Sequence, residues 1–379
     1  MPNTLTPLSL AELRQQFPAL ADKTYFNFGG QGPLSAPARE AIAAAYRRFD
    51  ELGPFSVAVA DWLQQEQAQL RQAIATYLAT TPDRIAFTES TLAGMNIPMW
   101  GLDWRQGDRL LLSDAEHYGV WEIATALRDR FGIELDTCPL TASPDPADTL
   151  EKYLKPNTRM ACISHVFWNS GRVMPLQQLS ERCRARGALL HVDAAQSAGV
   201  LPLDLPATGA DFYAFTGHKW LCGPAGTGAL YLSERGQAAI RPTFTGWCKT
   251  YAKGGAEQFE VSTAAYPVRI GLAAALQLHD RFGTAAERYG RQVEMARSLW
   301  QQLQEIPGVR CLGAEPPEAG LVPFAVAGKH PEALELALER RGVYVRSMVE
   351  PVSLRASVHY FTTAADIDRL LAGVRTLAV

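Results

Sequence analysis

Two residues in the middle of the chain could act on one ligand from neighbouring strand ends. The apolar run 188–192 stops on Asp193, and the run 211–215 stops on Thr216-Gly217-His218-Lys219. A turn, Gly223-Pro224-Ala225-Gly226, and a third apolar run, 229–232, follow. In open α/β sheets, ligands bind beyond the carboxyl ends of the strands. A carboxylate and an amine placed there suit pyridoxal phosphate. The carboxylate keeps the pyridine nitrogen protonated, so the ring can withdraw electrons, and the amine forms a Schiff base with the aldehyde.

Those strand ends need a sheet behind them. Strand and helix patterns alternate from about residue 84 to 232, which predicts a largely parallel sheet in an α/β fold. Strands are expected at 84–88, 109–112, 134–139 and 160–167, and helices at 36–49, 57–79, 120–131, 147–154 and 175–186. The last of these helices has proline at its first position. Ser9 with Glu12 forms a capping-box pattern for a short N-terminal helix. Glu89 to Asn96 reads as a turn into a helix, which Pro98 should shorten or kink. The hydroxyls and free N–H groups at that helix start suit an anion, although an ordinary N-cap has the same pattern. A long polar loop spans 241–260, and long helices are expected at 264–282 and 284–304. After Pro307-Gly308 the pattern becomes a small α+β unit, with strands near 309–312, 321–326, 343–346 and 354–359. The expected division is a large domain over 21–264 and a small domain over 265–379, with residues 1–20 docking on the small domain.

The bulk composition excludes several classes. The chain has 379 residues, 47% of them apolar, enough for two domains with large cores. No apolar run reaches the roughly 18 residues of a membrane span. The first residues lack signal-peptide order, so a cytoplasmic protein is expected. A net charge of −3 without a basic run argues against a nucleic-acid partner. The six cysteines are scattered, with no CxxC, so neither a metal site nor a disulfide framework is expected.

Asp193-Ala194-Ala195-Gln196 followed by Thr216-Gly217-His218-Lys219 resembles the class V, fold-type I pyridoxal phosphate enzymes. That family includes cysteine desulfurases, and within it the resemblance is nearest to L-cysteine/cystine C–S lyases, over nearly the whole chain. It implies a large domain with a mostly parallel sheet plus a small C-terminal domain. It also implies roles. Lys219 would carry the cofactor and then act as base, and Asp193 would pair with the ring nitrogen. His117 would stack on the ring, unless it is merely structural. Asn169 and Gln196 would bind the phenolic oxygen. Ser90, Thr91, Leu92, Thr216 and His218 would hold the phosphate, with Ser90-Thr91-Leu92 replacing the family's glycine-rich form. Arg355 would hold the substrate carboxylate with its planar fork. Gly30, in Gly29-Gly30-Gln31-Gly32-Pro33, would belong to a substrate-side loop or to a plain turn, and Trp168 would wall the pocket or simply pack. A homodimer with a shared active site is implied, Thr263 reaching the other subunit's phosphate, and with it an iron–sulfur acceptor protein.

One absence points away from desulfurases. They carry a nucleophilic cysteine on the loop before the arginine. Here residues 345–355 contain none, and the last cysteine is Cys311. Methionine cannot replace it, having no thiolate form. What remains is β-elimination from cystine or cysteine, giving pyruvate, ammonia, and cysteine persulfide or sulfide. The alternatives are a desulfurase using Cys222 or Cys248, a class V aminotransferase or epimerase, and a cofactor-binding scaffold without catalysis. A nucleotide-binding module lacks its GxGxxG or Walker pattern.

Overall fold

The computed structural model describes residues 6–246, 254–261 and 263–378. Cys248 lies outside them. Seven strands form the main sheet: β2 (Ile85–Thr88), β3 (Arg109–Ser113), β4 (Glu134–Cys138), β5 (Thr158–Ser164), β6 (Leu189–Asp193), β7 (Phe212–Thr216) and β8 (Gly228–Leu232), in the order β2-β8-β7-β6-β5-β3-β4. All run parallel except β8, which is antiparallel to both neighbours. Apart from the edge strand β4, the sheet is buried on both faces, so its strands read largely as apolar runs. Leu110 and Leu112 pack into one core and Leu111 into the other, as a two-residue period requires.

The first five α-helices are α1 (Leu10–Gln15), α2 (Ala36–Leu52), α3 (Val57–Tyr77), α4 (Thr91–Gly101) and α5 (Tyr118–Phe131), and α4 and α5 start at the edge of the sheet where the site lies. The capping box at Ser9 and Glu12 is formed in full. Pro98 does not end α4, which continues to Gly101. A proline inside a helix lacks the N–H bond and crowds the carbonyl four residues back, so packing must hold the helix together. Here α4 lies so close on β7 that a Cβ on Gly94 would come within 2.8 Å of the Ala214 Cβ.

A second sheet, antiparallel, has the order β12-β13-β10-β9, formed by β9 (Val309–Cys311), β10 (Leu321–Val326), β12 (Arg346–Met348) and β13 (Ser353–Ser357). The strand expected at 343–346 is split. Its first half, β11 (Val343–Tyr344), pairs instead with β1 (Thr24–Tyr25) in a two-stranded parallel sheet. α1 and the turn after it contact residues that follow β13: Arg14 pairs with Asp366 at 2.9 Å, and the Phe17 and Phe361 rings stack at 4.7 Å. Among the described residues no helix is long and apolar enough to cross a membrane.

Candidate active site

Because β2, β3, β5, β6 and β7 are parallel, their carboxyl ends share one edge of the sheet. Ser90, His117, Ser164, Asp193 and Thr216 therefore meet there, although the chain separates them widely. With Thr91, Leu92, Val166, Trp168, Ala195, Gln196, His218 and Lys219 they line a cavity of about 190 Å³. A larger cavity of about 730 Å³ lies beside Phe87 and Trp100. Convergence of polar groups, rather than size, marks the smaller one as the candidate.

Lys219 is half-buried beyond the end of β7, and its amine makes no ion pair among the described residues. Burial pushes it down to about 8; Asp193 opposes that shift and Arg355 adds to it. Burial pushes the Asp193 carboxyl up, while the Ala195 N–H, donating at 2.9 Å, and Lys219 pull it down. His117 caps α5, its Nδ1 accepting from the Gly119 N–H at 3.1 Å. That bond leaves Nε2 to carry the proton of the neutral ring. Burial and Lys219 hold the His117 pKa low, and its ring meets the Trp168 indole edge-on at 5.8 Å.

The α4 end of the cavity suits an anion. Ser90 Oγ accepts from the Ala93 N–H as N-cap, and the Thr91 hydroxyl is buried without any partner. Opposite, Thr216 Oγ1 lies 2.7 Å from His218 Nδ1. The Gln196 amide donates to the Gly29 carbonyl at 3.0 Å and accepts from the Trp220 indole at 2.8 Å.

Not every expected residue lines this cavity. β5 ends at Ser164, so Trp168 and Asn169 lie on a turn four and five residues beyond it, not at a strand end. Asn169 lines a neighbouring cavity with Glu116, Tyr118 and Pro351, and its Oδ1 is buried without a partner. Arg355, 3% exposed, donates from Nη1 to the Trp168 carbonyl at 2.8 Å, and its Nε has no partner. Gly30 is hemmed in by its own loop, because a Cβ there would lie 2.6 Å from Asn27. Thr263 is exposed, with φ at 62°, and is absent from the cavity wall.

Gly29 and Gly32 of the glycine cluster, and Glu116, have parts at the site that the sequence reading does not assign them. A Cβ on Gly32 would lie 2.2 Å from the Lys219 carbonyl, and one on Gly29 would lie 3.0 Å from Arg355 Nη2. These glycines admit protein backbone and side chains rather than a ligand, which cluster composition alone does not reveal. Glu116, beside His117, is buried and bonded to Ser164.

Residues 53–370 match the aminotransferase class-V family. The chain belongs to that family. It is similar to the cystine C–S lyase C-DES, solved with its reaction product cysteine persulfide, at 44% identity and a TM-score of 0.92 over 95% of this chain and 99% of that one. A lysine-to-alanine mutant of C-DES, with glycine covalently linked to its PLP cofactor, aligns at the same identity and TM-score over 96% of this chain and 98% of that one. A probable cysteine desulfurase of Methanothermobacter thermautotrophicus is 27% identical over 95% of this chain and 96% of its own length. The isopenicillin N epimerase of Streptomyces clavuligerus is 30% identical, with coverage of 93% and 94%.

Within this class V chain the cysteines bear on the chemistry. The five in the described residues, Cys138, Cys162, Cys183, Cys222 and Cys311, are all buried. Burial raises every one of these thiols, Cys138, Cys183 and Cys311 to about 12, and Cys162 and Cys222 upward as well. A thiol that does not ionise is a poor nucleophile. Cys222, three residues past Lys219, is wedged against Gly32 and is 1% exposed. Met348, in the segment where a desulfurase keeps its cysteine, ends β12.

Proposed function

We propose that this protein is a pyridoxal phosphate-dependent C–S lyase that cleaves L-cystine by β-elimination. The observation that carries this reading is Asp193 and Lys219 on the wall of one cavity in a class V fold, with every cysteine among the described residues buried. Its likeness to the cystine C–S lyase C-DES supports the choice of substrate.

The residues present fit the cofactor. The unpartnered Thr91 hydroxyl at the start of α4, with Ser90, Leu92, Thr216 and His218, would hold its phosphate. Asp193 would face the ring nitrogen, and a cation there would keep this carboxylate ionised. His117 would lie against the ring, and Gln196 and Asn169 near its oxygen. When bound, the cofactor supplies an electron-withdrawing ring that delocalises charge developing at the substrate Cα.

The chain's own residues do the rest. Arg355 holds the substrate carboxylate through the fork that its partnerless Nε leaves available. Trp168 borders the substrate side, and the loop that carries Gly30 would flank it. Lys219 takes the Cα proton, its lowered basicity leaving a useful fraction unprotonated near neutral pH. The Cβ–S bond breaks and sulfur leaves with the electron pair as cysteine persulfide. One water then converts the three-carbon remainder to pyruvate and ammonia. Persulfide leaves more readily than thiolate because its conjugate acid is stronger, which favours cystine over cysteine.

The working unit in this reading is a cytoplasmic homodimer with Thr263 reaching the partner subunit's phosphate site, and an iron–sulfur protein is the sulfur acceptor. The test is a panel of cystine, cysteine and other β-substituted amino acids, with pyruvate, alanine and sulfane sulfur all quantified. Pyruvate and sulfane sulfur in equal amounts from cystine support the reading. Equimolar alanine without pyruvate rules it out.

A further inference from the structure

β3 and β5 are neighbours in the main sheet, but their outgoing connections diverge. β3 leads through α5 to β4 on one side, and β5 leads to β6 on the other. Divergence of this kind opens a crevice at the strand ends. Glu116 fills it. Its carboxyl group is bonded by the Ser113 hydroxyl, by the Ser164 N–H at 2.7 Å and by the Ser164 hydroxyl at 2.7 Å. Ser113 ends β3, Ser164 ends β5, and Ser164 is in register with Asp193 at the end of β6. One side chain thus joins two strand ends, and the next residue in the chain is His117 of the cavity wall.

Glu116 is 4% exposed, and no cation pairs with it among the described residues. The titratable groups facing it are Asp193 from β6 and Cys162 from β5, neither of them positive. A buried carboxylate without a cation is costly, and a second carboxylate nearby adds to the cost. Burial, with Asp193 adding to it against the serine bonds, pushes Glu116 up to about 8. A protonated carboxyl can donate to Ser164 Oγ with one oxygen while the other accepts from the Ser164 N–H and Ser113. The network is satisfied in that form.

We infer that Glu116 is a positioning residue for the proposed reaction: as a neutral group it fixes the His117 turn to the end of β5 and leaves Asp193 as the only charged carboxylate at the cavity among the described residues. The inference rests on the cofactor reading given above. Its test uses the full chain loaded with pyridoxal phosphate, as wild type, Glu116→Gln and Glu116→Ala. Visible absorbance is titrated from about pH 6 to about pH 9.5, and cofactor dissociation is measured by equilibrium dialysis. At pH 7 the Gln variant, which keeps a neutral donor and acceptor, should bind within about twofold of wild type. The Ala variant should bind roughly tenfold or more weakly, with a shifted absorbance maximum, since small misplacements at such sites are costly. The midpoint of the absorbance titration should move in the Gln variant, because its side chain no longer titrates. If the Ala variant does not fold, the Gln titration decides alone. An Ala variant identical to wild type, a Gln variant as weak as Ala, or superimposable titrations of wild type and Gln would each overturn the inference and leave the cofactor reading standing. A wild-type protein that binds no pyridoxal phosphate would remove both.

Discussion

Arg355, on β13 of the small antiparallel sheet, donates a hydrogen bond to the carbonyl of Trp168, on the wall of the cavity at the edge of the large sheet. This bond joins the two sheets at the place where the substrate is proposed to sit. It occupies Nη1 and leaves the buried Nε free.

Replacing Arg355 should therefore impair substrate binding. Arg355→Ala is expected to raise KM for cystine roughly 10- to 100-fold, from loss of charge-assisted hydrogen bonds of about 1.5–3 kcal/mol. Arg355→Lys should recover little, because an ammonium cannot reproduce the fork. Steady-state kinetics of both variants check this; an unchanged KM would remove Arg355 from the substrate site.

Thr91→Val tests the phosphate end. The Thr91 hydroxyl is buried and unpartnered, so an isosteric valine should leave the cofactor-free protein as stable or slightly more so. It should weaken cofactor binding about tenfold, for one lost bond to a charged group. Thermal melting with and without pyridoxal phosphate separates the two effects. A variant that loses stability without the cofactor contradicts the assignment.

Gly32→Ala should disturb the lysine turn. The added Cβ would lie 2.2 Å from the Lys219 carbonyl, which cannot move without dragging the turn. A destabilisation of about 1–3 kcal/mol is expected, typical of overpacking. The urea midpoint and the cofactor's visible absorbance measure it. Full stability with an unchanged spectrum would show that the turn is slack.

Stability should fall on mild acidification. Burial depresses His165 and His191 from the ordinary 6.5 to about 3, and His279 to about 4. Depressed groups contribute stability that is present above about pH 6.5 and lost as pH falls toward those values. Glu116, raised from 4.5 to about 8, acts the other way: its contribution is full below about pH 4.5 and is lost as pH rises through 8. Melting temperature against pH should decline below about 6.5 in wild type, and Glu116→Gln should flatten the alkaline side. A flat acid limb contradicts neutral burial of these histidines.

The parts of this site that were legible in the sequence lie where an apolar strand stops on a polar residue. Asp193 and Lys219 follow buried runs directly, so their placement at the sheet edge came from pattern alone. The end of β5 was set at residue 167 because the apolar run continues past Ser164, through Val166 and Phe167, which are buried outside the strand. The antiparallel direction of β8 is set by a turn through Gly223 to Gly226 that pairs Thr216 with Gly228, and no periodicity encodes it. Glu116 was missed because a glutamate in a polar turn resembles a solvated one. Its burial depends on Ser164, 48 residues along the chain, a contact that exists only once β3 and β5 are paired.

The central claim is a covalently held ring on Lys219, and borohydride reduction of the purified holoprotein followed by peptide mass mapping tests it most directly. The account predicts a reduced pyridoxyl group on the peptide carrying Lys219 and on no other. An unmodified Lys219, or a label on a different lysine, would contradict it.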